Sequence, residues 1–422
     1  MIARKIVLDN GVRLVMSRMQ EMRSVSIGIW VGIGGRYEED IESGISHFLE
    51  HMLFKGTKTK TAAQISQLIE GVGGAMNAFT TEECTCFYVK VMGKHFKQAL
   101  SVMADMFQNP AFHPKDVERE RGVILDELRM GVDVPSQYVY DRLRKIMWPK
   151  HPLGRMLIGT EKSISRLKRE NLLGFKDANY TAKNIVVSVA GHINEKEVEN
   201  EVRRKFSFLK PKDLPKHSHV TQEQSKPSFD FVKRKTEQTH FCLGIRAYPR
   251  NHPRRFALRI LNAILGENMS SRLFQEIREK LGLSYDISSS VDRFADTGMV
   301  LISGGTEDSK ISNVIEATLK ELIKLKKKEV THSELHLAKE YCLGQASLSL
   351  EKTSNQMIYL GESELLSNKM MRVDEIFRQL RSVTADDIKS AARELFMDSG
   401  LNLAIIGQGK HAFKIQKTLN LN

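Results

Sequence analysis

Two segments of this sequence resemble each other at a constant spacing of 216 residues, about half of the 422-residue chain. Residues 167–191 have the pattern of a helix followed by an apolar strand, and residues 383–407 have the same pattern. Positions of matching character include Tyr180 with Phe396, Val187 with Leu403, and Gly191 with Gly407. A repeat at half the chain length predicts two copies of one αβ unit.

The stretch between the copies, residues 209–227, is rich in Pro, Lys, Ser and Gln and has little apolar periodicity. Such a composition is typical of a linker. We therefore predict an N-terminal domain over residues 1–215 and a homologous C-terminal domain over residues 224–422.

Apolar periodicity predicts that strands and helices are mixed along each copy. In the first copy the predicted strands are 2–8, 12–17, 24–33, 75–80 and 85–92, and the predicted helices are 43–54, 61–71, 94–108, 115–132 and 136–148. In the second copy the predicted helices are 253–265, 309–325, 331–350 and 352–367. This order predicts an α+β fold in which each domain is a mainly antiparallel sheet with helices packed on one face.

Composition and charge exclude several classes of protein. The chain is 41% hydrophobic and 27% charged, as expected of a soluble globular protein, and it has no apolar run long enough to span a membrane. Its first residues alternate like a strand and show neither a signal peptide nor a transit peptide, so we expect a bacterial-type cytoplasmic protein. The net charge of +13 is spread along the chain without a nucleic-acid-binding motif. We therefore expect a solvated basic surface and no nucleic-acid partner.

The most specific local pattern is the pentapeptide that runs from His47 to His51. The two histidines are four residues apart in a run with helical periodicity, so both imidazoles project from one side of a helix and can bind one metal ion. Glu50 lies beside them, where a carboxylate can take a proton from a zinc-bound water. This is the H-x-x-E-H spacing of certain zinc peptidases. The alternative is a pair of surface histidines on an amphipathic helix.

A catalytic zinc ion needs a third protein ligand. Residues 116–129 predict an apolar-striped helix in which Glu120 and Glu127 lie seven residues apart, nearly on one face. Either carboxylate is a candidate ligand from its spacing, and a solvated charged face is the alternative.

Residues 32–133 resemble the pitrilysin and mitochondrial processing peptidase family, the inverzincins. The resemblance rests on GGRYEE at 34–39, GISHFLEHMLFKGT at 44–57, GGAMNAFT at 73–80 and ERERGVILDEL at 118–128. The family's third ligand lies about 76 residues after the second histidine, at Glu127 here, and a supporting glutamate lies seven residues earlier, at Glu120. The resemblance implies a zinc-dependent endopeptidase with one Zn²⁺ per chain, His47, His51 and Glu127 as ligands, and Glu50 as the general base.

The resemblance also implies residues that hold the substrate. Residues 271–285 are similar to the family's C-terminal signature, in which an Arg and a Tyr seven residues apart bind the substrate backbone; here they are Arg278 and Tyr285. Without the family they would be interpreted as a helix-surface Arg and a core Tyr. In relatives, the strand that corresponds to residues 73–80 binds peptide by strand addition, with Asn77 and Ala78 as contacts.

The second copy has no H-x-x-E-H motif. One copy with the metal motif and one without it is the pattern of the family's short members, which pair as dimers around a chamber that admits peptides or unfolded, presequence-like segments. The resemblance therefore implies a homodimer, or a heterodimer with an inactive homologue, in which Arg278 and Tyr285 act on the partner's zinc site. A non-catalytic structural subunit is the alternative, although such members have lost the zinc residues.

Overall fold

The structure is a computed structural model that describes residues 3–221, 223–409 and 412–421. Its strands are β1 (Arg4–Val7), β2 (Arg13–Arg18), β3 (Ser24–Val31), β4 (Ala75–Thr80), β5 (Thr85–Met92), β6 (Ile185–Gly191), β7 (Ser228–Lys233), β8 (Thr239–Ala247), β9 (Asp286–Arg293), β10 (Gly298–Thr306) and β11 (Leu401–Gly407). Its α-helices are α1 (Ile45–Leu53), α2 (Ala62–Glu70), α3 (Phe96–Gln108), α4 (Pro114–Asp133), α5 (Pro135–Met147), α6 (Glu161–Arg166), α7 (Arg169–Asn179), α8 (Glu195–Lys205), α9 (Arg255–Leu265), α10 (Ile311–Lys327), α11 (His332–Ser349), α12 (Thr353–Glu362), α13 (Val373–Ser382), α14 (Ala385–Leu395) and α15 (Ala412–Thr418). Two π-helical segments cover Phe274–Lys280 and Ser363–Ser367.

The chain forms two compact units, and neither is a continuous segment. The first unit comprises the described residues of Met1–Arg129, Arg155–Ser218 and Ser347–Val373, and the second unit comprises those of Met130–Gly154, His219–Ala346 and Asp374–Asn422. Each half of the chain therefore supplies a helical segment to the unit that is mainly built from the other half. The predicted ranges 1–215 and 224–422 do not include this exchange.

The sheets of the two units have corresponding strand orders. The first is β1-β2-β6-β3-β5-β4 and the second is β7-β11-β8-β10-β9. The strands of the internal repeat are β6 and β11. Each forms the one parallel pair of its sheet among the described strands, β6 with β2 and β11 with β7. The α+β class, the two homologous units and the mainly antiparallel sheets are confirmed.

The prediction that helices pack on one face of each sheet has to be corrected. On one face of the first sheet, side chains such as Ile27 and Ile29 join the large apolar core. On the other face, Trp30 packs with Met357 and Leu360 of α12. The reason is that the central strand β3 is buried almost throughout, so both of its faces need an apolar cover.

Helices also pack on both faces of the sheet in the second unit. Leu143 and Met147 of α5 pack in a cluster with Cys242 of β8 and Ala404 of β11.

Among the described residues, no helix combines the length and apolar character that a membrane crossing requires. The cytoplasmic location stays a prediction.

Candidate metal centre

Helix α1 carries the pentapeptide, and its start is fixed by a buried carboxylate. The backbone N–H groups of Gly44 and Ser46 donate hydrogen bonds to the Glu38 side chain, at 2.7 and 2.9 Å. The first N–H groups of a helix have no partners within the helix, so Glu38 caps α1. Gly44 has φ +92°, and a Cβ atom there would lie 2.4 Å from the Ile158 carbonyl oxygen. Glu38 and Gly44 together fix where α1 begins, and hence where its histidines lie.

The structure brings His47, His51 and Glu127 together. One potential ligand atom from each lies within 4.8 Å of the others, and in the part of the chain that the structure describes no other group of three His, Cys, Asp or Glu residues meets this criterion. The Glu127 oxygens lie 3.9 Å from His47 Nε2 and 3.7 Å from His51 Nε2. Ligands of a tetrahedral zinc ion lie about 3.4 Å apart, so small side-chain rotations would complete such a site.

Both glutamates come from α4 but have different environments. Glu120 belongs to the buried stripe of this helix, with Val117, Ile124 and Leu128, whereas the Glu127 side chain is 51% exposed. The seven-residue spacing therefore places the Glu120 carboxylate on the buried face of α4 and the Glu127 carboxylate at a position accessible to solvent. Glu127 completes the group with His47 and His51, and Glu120 contacts that group through His51.

Glu120 contacts one side chain in the last turn of α1 and one just beyond it. His51 Nδ1 lies 2.9 Å from Glu120 Oε1, and Lys55 Nζ lies 2.7 Å from Glu120 Oε2. Burial by itself would raise the pKa of Glu120, but the hydrogen bonds from His51 and Lys55 outweigh it, and the pKa is lowered. An ionised Glu120 accepts the Nδ1 proton of His51, which leaves the Nε2 lone pair free on the side of Glu127.

His47 is held in its neutral form. Burial, with a smaller contribution from the nearby His51, lowers the pKa of His47 to about 4. A neutral imidazole keeps a lone pair for a metal, so His47 can act as a ligand at physiological pH.

Glu50 lies beside this group and contacts the neighbouring strand. Thr80 Oγ1, at the end of β4, donates a hydrogen bond to Glu50 Oε2 at 2.5 Å. Burial raises the pKa of Glu50, and the hydrogen bond from Thr80 opposes part of the increase. A carboxyl group with a raised pKa is a better proton acceptor than an exposed one, as a general base requires.

Strand β4 forms the edge of the first sheet, beside α1. It pairs with β5 on one side, and no described strand pairs with its other edge. Asn77 is exposed and its Oδ1 accepts a hydrogen bond from the N–H of Ala78 at 2.8 Å. The two residues predicted to contact substrate therefore lie on an open sheet edge, which is suited to strand addition.

Arg278 and Tyr285 lie together in the second unit. The Arg278 guanidinium carbon is 4.7 Å from the centre of the Tyr285 ring and 4.6 Å from that of Phe274. Stacking between two rings restricts the guanidinium. Tyr285 is 77% exposed, so its interpretation as a core residue is wrong.

Sequence reasoning missed three residues of these two sites, namely Lys55, Thr80 and Phe274. Spacing offered a signal for two of them. Lys55 follows His51 by one helical turn, and Thr80 is two residues from Ala78 and so faces the same side of β4. Their partners lie elsewhere in the sequence, so spacing alone did not show which groups they contact.

Comparison with known proteins identifies the family to which the chain belongs. The family model described as Insulinase (Peptidase family M16) matches residues 13–161, and the model described as Peptidase M16 inactive domain matches residues 166–342. The chain is 38% identical to an uncharacterized zinc protease of Bacillus subtilis (strain 168) over 394 residues, which cover 92% of this chain and 95% of the relative. The chain belongs to peptidase family M16. It is also 35% identical to an uncharacterized zinc protease of Streptomyces coelicolor, over 96% of this chain and 89% of the relative.

Solved structures share the fold of this M16 chain at lower sequence identity. A protease from Helicobacter pylori superposes with a TM-score of 0.91 at 24% identity, over 96% of this chain and 99% of the other. A chain of complex III2 from Candida albicans superposes with a TM-score of 0.85 at 15% identity, over 99% of both chains. These likenesses concern the fold alone, so the chemistry has to be argued from the residues of the site.

Proposed function

We propose that this chain is a zinc-dependent endopeptidase that cleaves peptides or unfolded, presequence-like segments. The observation that supports it most directly is the convergence of His47, His51 and Glu127, with their ligand atoms within 4.8 Å. Two imidazoles and one carboxylate are one of the donor sets of catalytic zinc sites, which keep one position open. We propose one zinc ion per chain, held by these three residues.

The ordered surroundings of His51 support the same assignment. Zinc ligands of the imidazole type commonly donate their second N–H to a carboxylate, and Glu120 is in place to accept it at 2.9 Å. When bound, zinc would polarise the substrate carbonyl and lower the pKa of a bound water towards 7.

Glu50 is the proposed general base. Its carboxylate is partly buried beside the histidines and is oriented by Thr80. In the proposed reaction Glu50 accepts a proton as water attacks the peptide carbonyl, and then donates a proton to the leaving amine. A single carboxylate therefore serves as base and then as acid.

The substrate would bind as an added strand on the open edge of β4, with Asn77 and Ala78 as backbone contacts. We propose that Arg278 and Tyr285 hold the substrate backbone from a partner subunit, in a homodimer or in a heterodimer with an inactive homologue. The stacked guanidinium of Arg278 and the exposed ring of Tyr285 suit such a role.

The test compares the wild type with Glu50→Gln and, as a matched control, with Glu70→Gln at the exposed end of α2. Zinc content is measured by metal analysis, and activity by cleavage of a quenched peptide library before and after chelation and zinc return. We expect about one zinc per chain in all three proteins. The Glu50→Gln protein, which lacks the base, should cleave at least about a hundredfold more slowly than the wild type. The Glu70→Gln protein should stay active.

Full hydrolysis by Glu50→Gln would show that the base is assigned wrongly. Zinc without cleavage in the wild type would favour the alternative of a subunit that needs an inactive partner. Absence of zinc together with absence of cleavage would favour a structural subunit. The presence of all three donors and Glu50 argues against that alternative.

A further inference from the structure

Lys55 lies one turn beyond His51, in the turn that continues α1. The N–H of Lys55 donates to the Met52 carbonyl at 3.1 Å, so the helical path extends past Leu53, the last residue of α1. Side chains four residues apart on such a path lie on the same side. His51 and Lys55 therefore face Glu120 of α4 together.

The two oxygens of Glu120 are divided between these two side chains. Oε1 lies 2.9 Å from His51 Nδ1 and Oε2 lies 2.7 Å from Lys55 Nζ. The Glu120 side chain is only 4% exposed, so water has little access to an oxygen that loses its protein partner. A buried acceptor without a partner is costly, so Glu120 would turn to find another donor if Lys55 were absent.

We infer that Lys55 is a positioning residue of the metal centre, acting on His51 through Glu120. Because Lys55 holds Oε2, the carboxylate keeps Oε1 towards His51 Nδ1, and His51 keeps its Nε2 atom towards Glu127. This inference rests on the proposed zinc site, although it concerns a residue outside the ligand set. Within the peptidase motif His51 contacts Glu120 Oε1, whereas Oε2 is held by Lys55, which lies outside the motif.

A simple charge argument predicts the opposite change in zinc affinity when Lys55 is replaced. A lysine ammonium near a dication repels it, so removal of this charge alone would tighten zinc binding. Loss of orientation at Glu120 would instead weaken zinc binding, as loss of such supporting groups does by about 10- to 100-fold. The direction of the change therefore separates the two effects.

The experiment measures the zinc dissociation constant of the full chain by competition with a chromophoric chelator. The variants are Lys55→Met, which keeps the aliphatic stem, Lys55→Arg, which keeps a donor, and Glu120→Gln. Lys60→Met is the matched control, because Lys60 forms a similar pair with Asp105 at 2.9 Å and has similar exposure, 31% against 37% for Lys55. Thermal unfolding of each metal-free protein separates loss of fold from loss of affinity.

We expect Lys55→Met to weaken zinc binding by about tenfold, Lys55→Arg to restore most of it, and Lys60→Met to leave it unchanged. In the Glu120→Gln background, Lys55→Met should cause no further weakening, since the two residues act in series. Unchanged or tighter binding by Lys55→Met would overturn the inference. The inference would also be overturned if Lys55→Met weakened zinc binding as much in the Glu120→Gln background as in the wild type.

The same titration distinguishes the failure of this inference from failure of the proposed function. A wild-type chain that binds no zinc would overturn the proposed zinc site and the role of Lys55 with it. A wild-type chain that binds zinc, with Lys55→Met at equal affinity, would overturn only the role of Lys55.

Discussion

At the scale of single residues, the contact between Glu50 and Thr80 joins the proposed base to the proposed substrate strand. Thr80 ends β4, and its hydroxyl donates to Glu50 Oε2. A hydrogen bond to a charged group contributes about 1.5–3 kcal/mol, enough to select one orientation of the carboxylate. Strand addition at β4 would thus take place beside a base whose direction is already fixed.

Thr80→Val should lower kcat by at least about tenfold, because it removes that hydrogen bond and keeps a β-branched side chain of the same shape. Thr80→Ser, which keeps the hydroxyl, should stay close to the wild type. Zinc content should not change in either variant. The measurement is steady-state cleavage of one quenched peptide, together with metal analysis. A Thr80→Val protein with wild-type kcat would show that Thr80 does not position Glu50.

What the sequence could predict at this scale depended on local spacing. His47, His51 and Glu50 share one helix, so their relation follows from helical periodicity. The choice between Glu120 and Glu127 came from the family resemblance, because spacing alone left both open. Lys55 and Thr80 escaped because each contacts a carboxylate on another element, and periodicity within one element does not show such contacts.

At the scale of elements, the packing of α12 on the first sheet depends on a glycine. A Cβ atom at Gly361 would lie 1.9 Å from Trp30 Nε1. Trp30 has little room to move, because it is fully buried and its Nε1 donates to Ser188 Oγ at 2.8 Å. At this point α12 can lie so close to Trp30 only because position 361 has no side chain.

Gly361→Ala should destabilise the protein by about 1–3 kcal/mol, because overpacking forces Trp30 or α12 to shift. Gly174→Ala is the matched control: Gly174 lies within α7 of the same unit, and a Cβ atom there would meet nothing within 4 Å. That change should stabilise the protein by about 0.5–1 kcal/mol through helix propensity. Urea unfolding measures both changes. Equal effects of the two substitutions would contradict the close packing of α12.

Each helix range predicted from the sequence corresponds to an α-helix, whereas α6, α8, α13 and α15 lie outside the predicted ranges. The sequence also did not show which sheet each helix covers. The predicted helix 352–367 contains α12 (Thr353–Glu362), yet its apolar residues carry no information about which of two similar sheets they meet. The same holds for α5, which packs in the second unit although it belongs to the first half of the chain. Amphipathicity shows that a face is buried and does not identify its partner.

At the scale of the whole molecule, the internal repeat predicted two homologous units, and corresponding strand orders agree with it. The donor set lies in the first unit, whereas Arg278 and Tyr285 lie in the second unit. The proposed activity needs both sets at one substrate. Whether they come from one chain or from two is a question about the assembly, and mixing inactive chains answers it.

Glu50→Gln lacks the proposed base, and Arg278→Ala lacks a proposed substrate contact, so each should be nearly inactive alone. If Arg278 acts on a partner's zinc site in a symmetric dimer, a mixed dimer contains one site with both Glu50 and Arg278 intact. With equal amounts of differently tagged chains, co-expression should then recover about a quarter of wild-type activity. If Arg278 acts within its own chain, every site in the mixed dimer lacks one of the two residues and no activity returns. Affinity purification through both tags isolates the mixed dimer, where recovery should rise to about half of wild type because one of its two sites is complete.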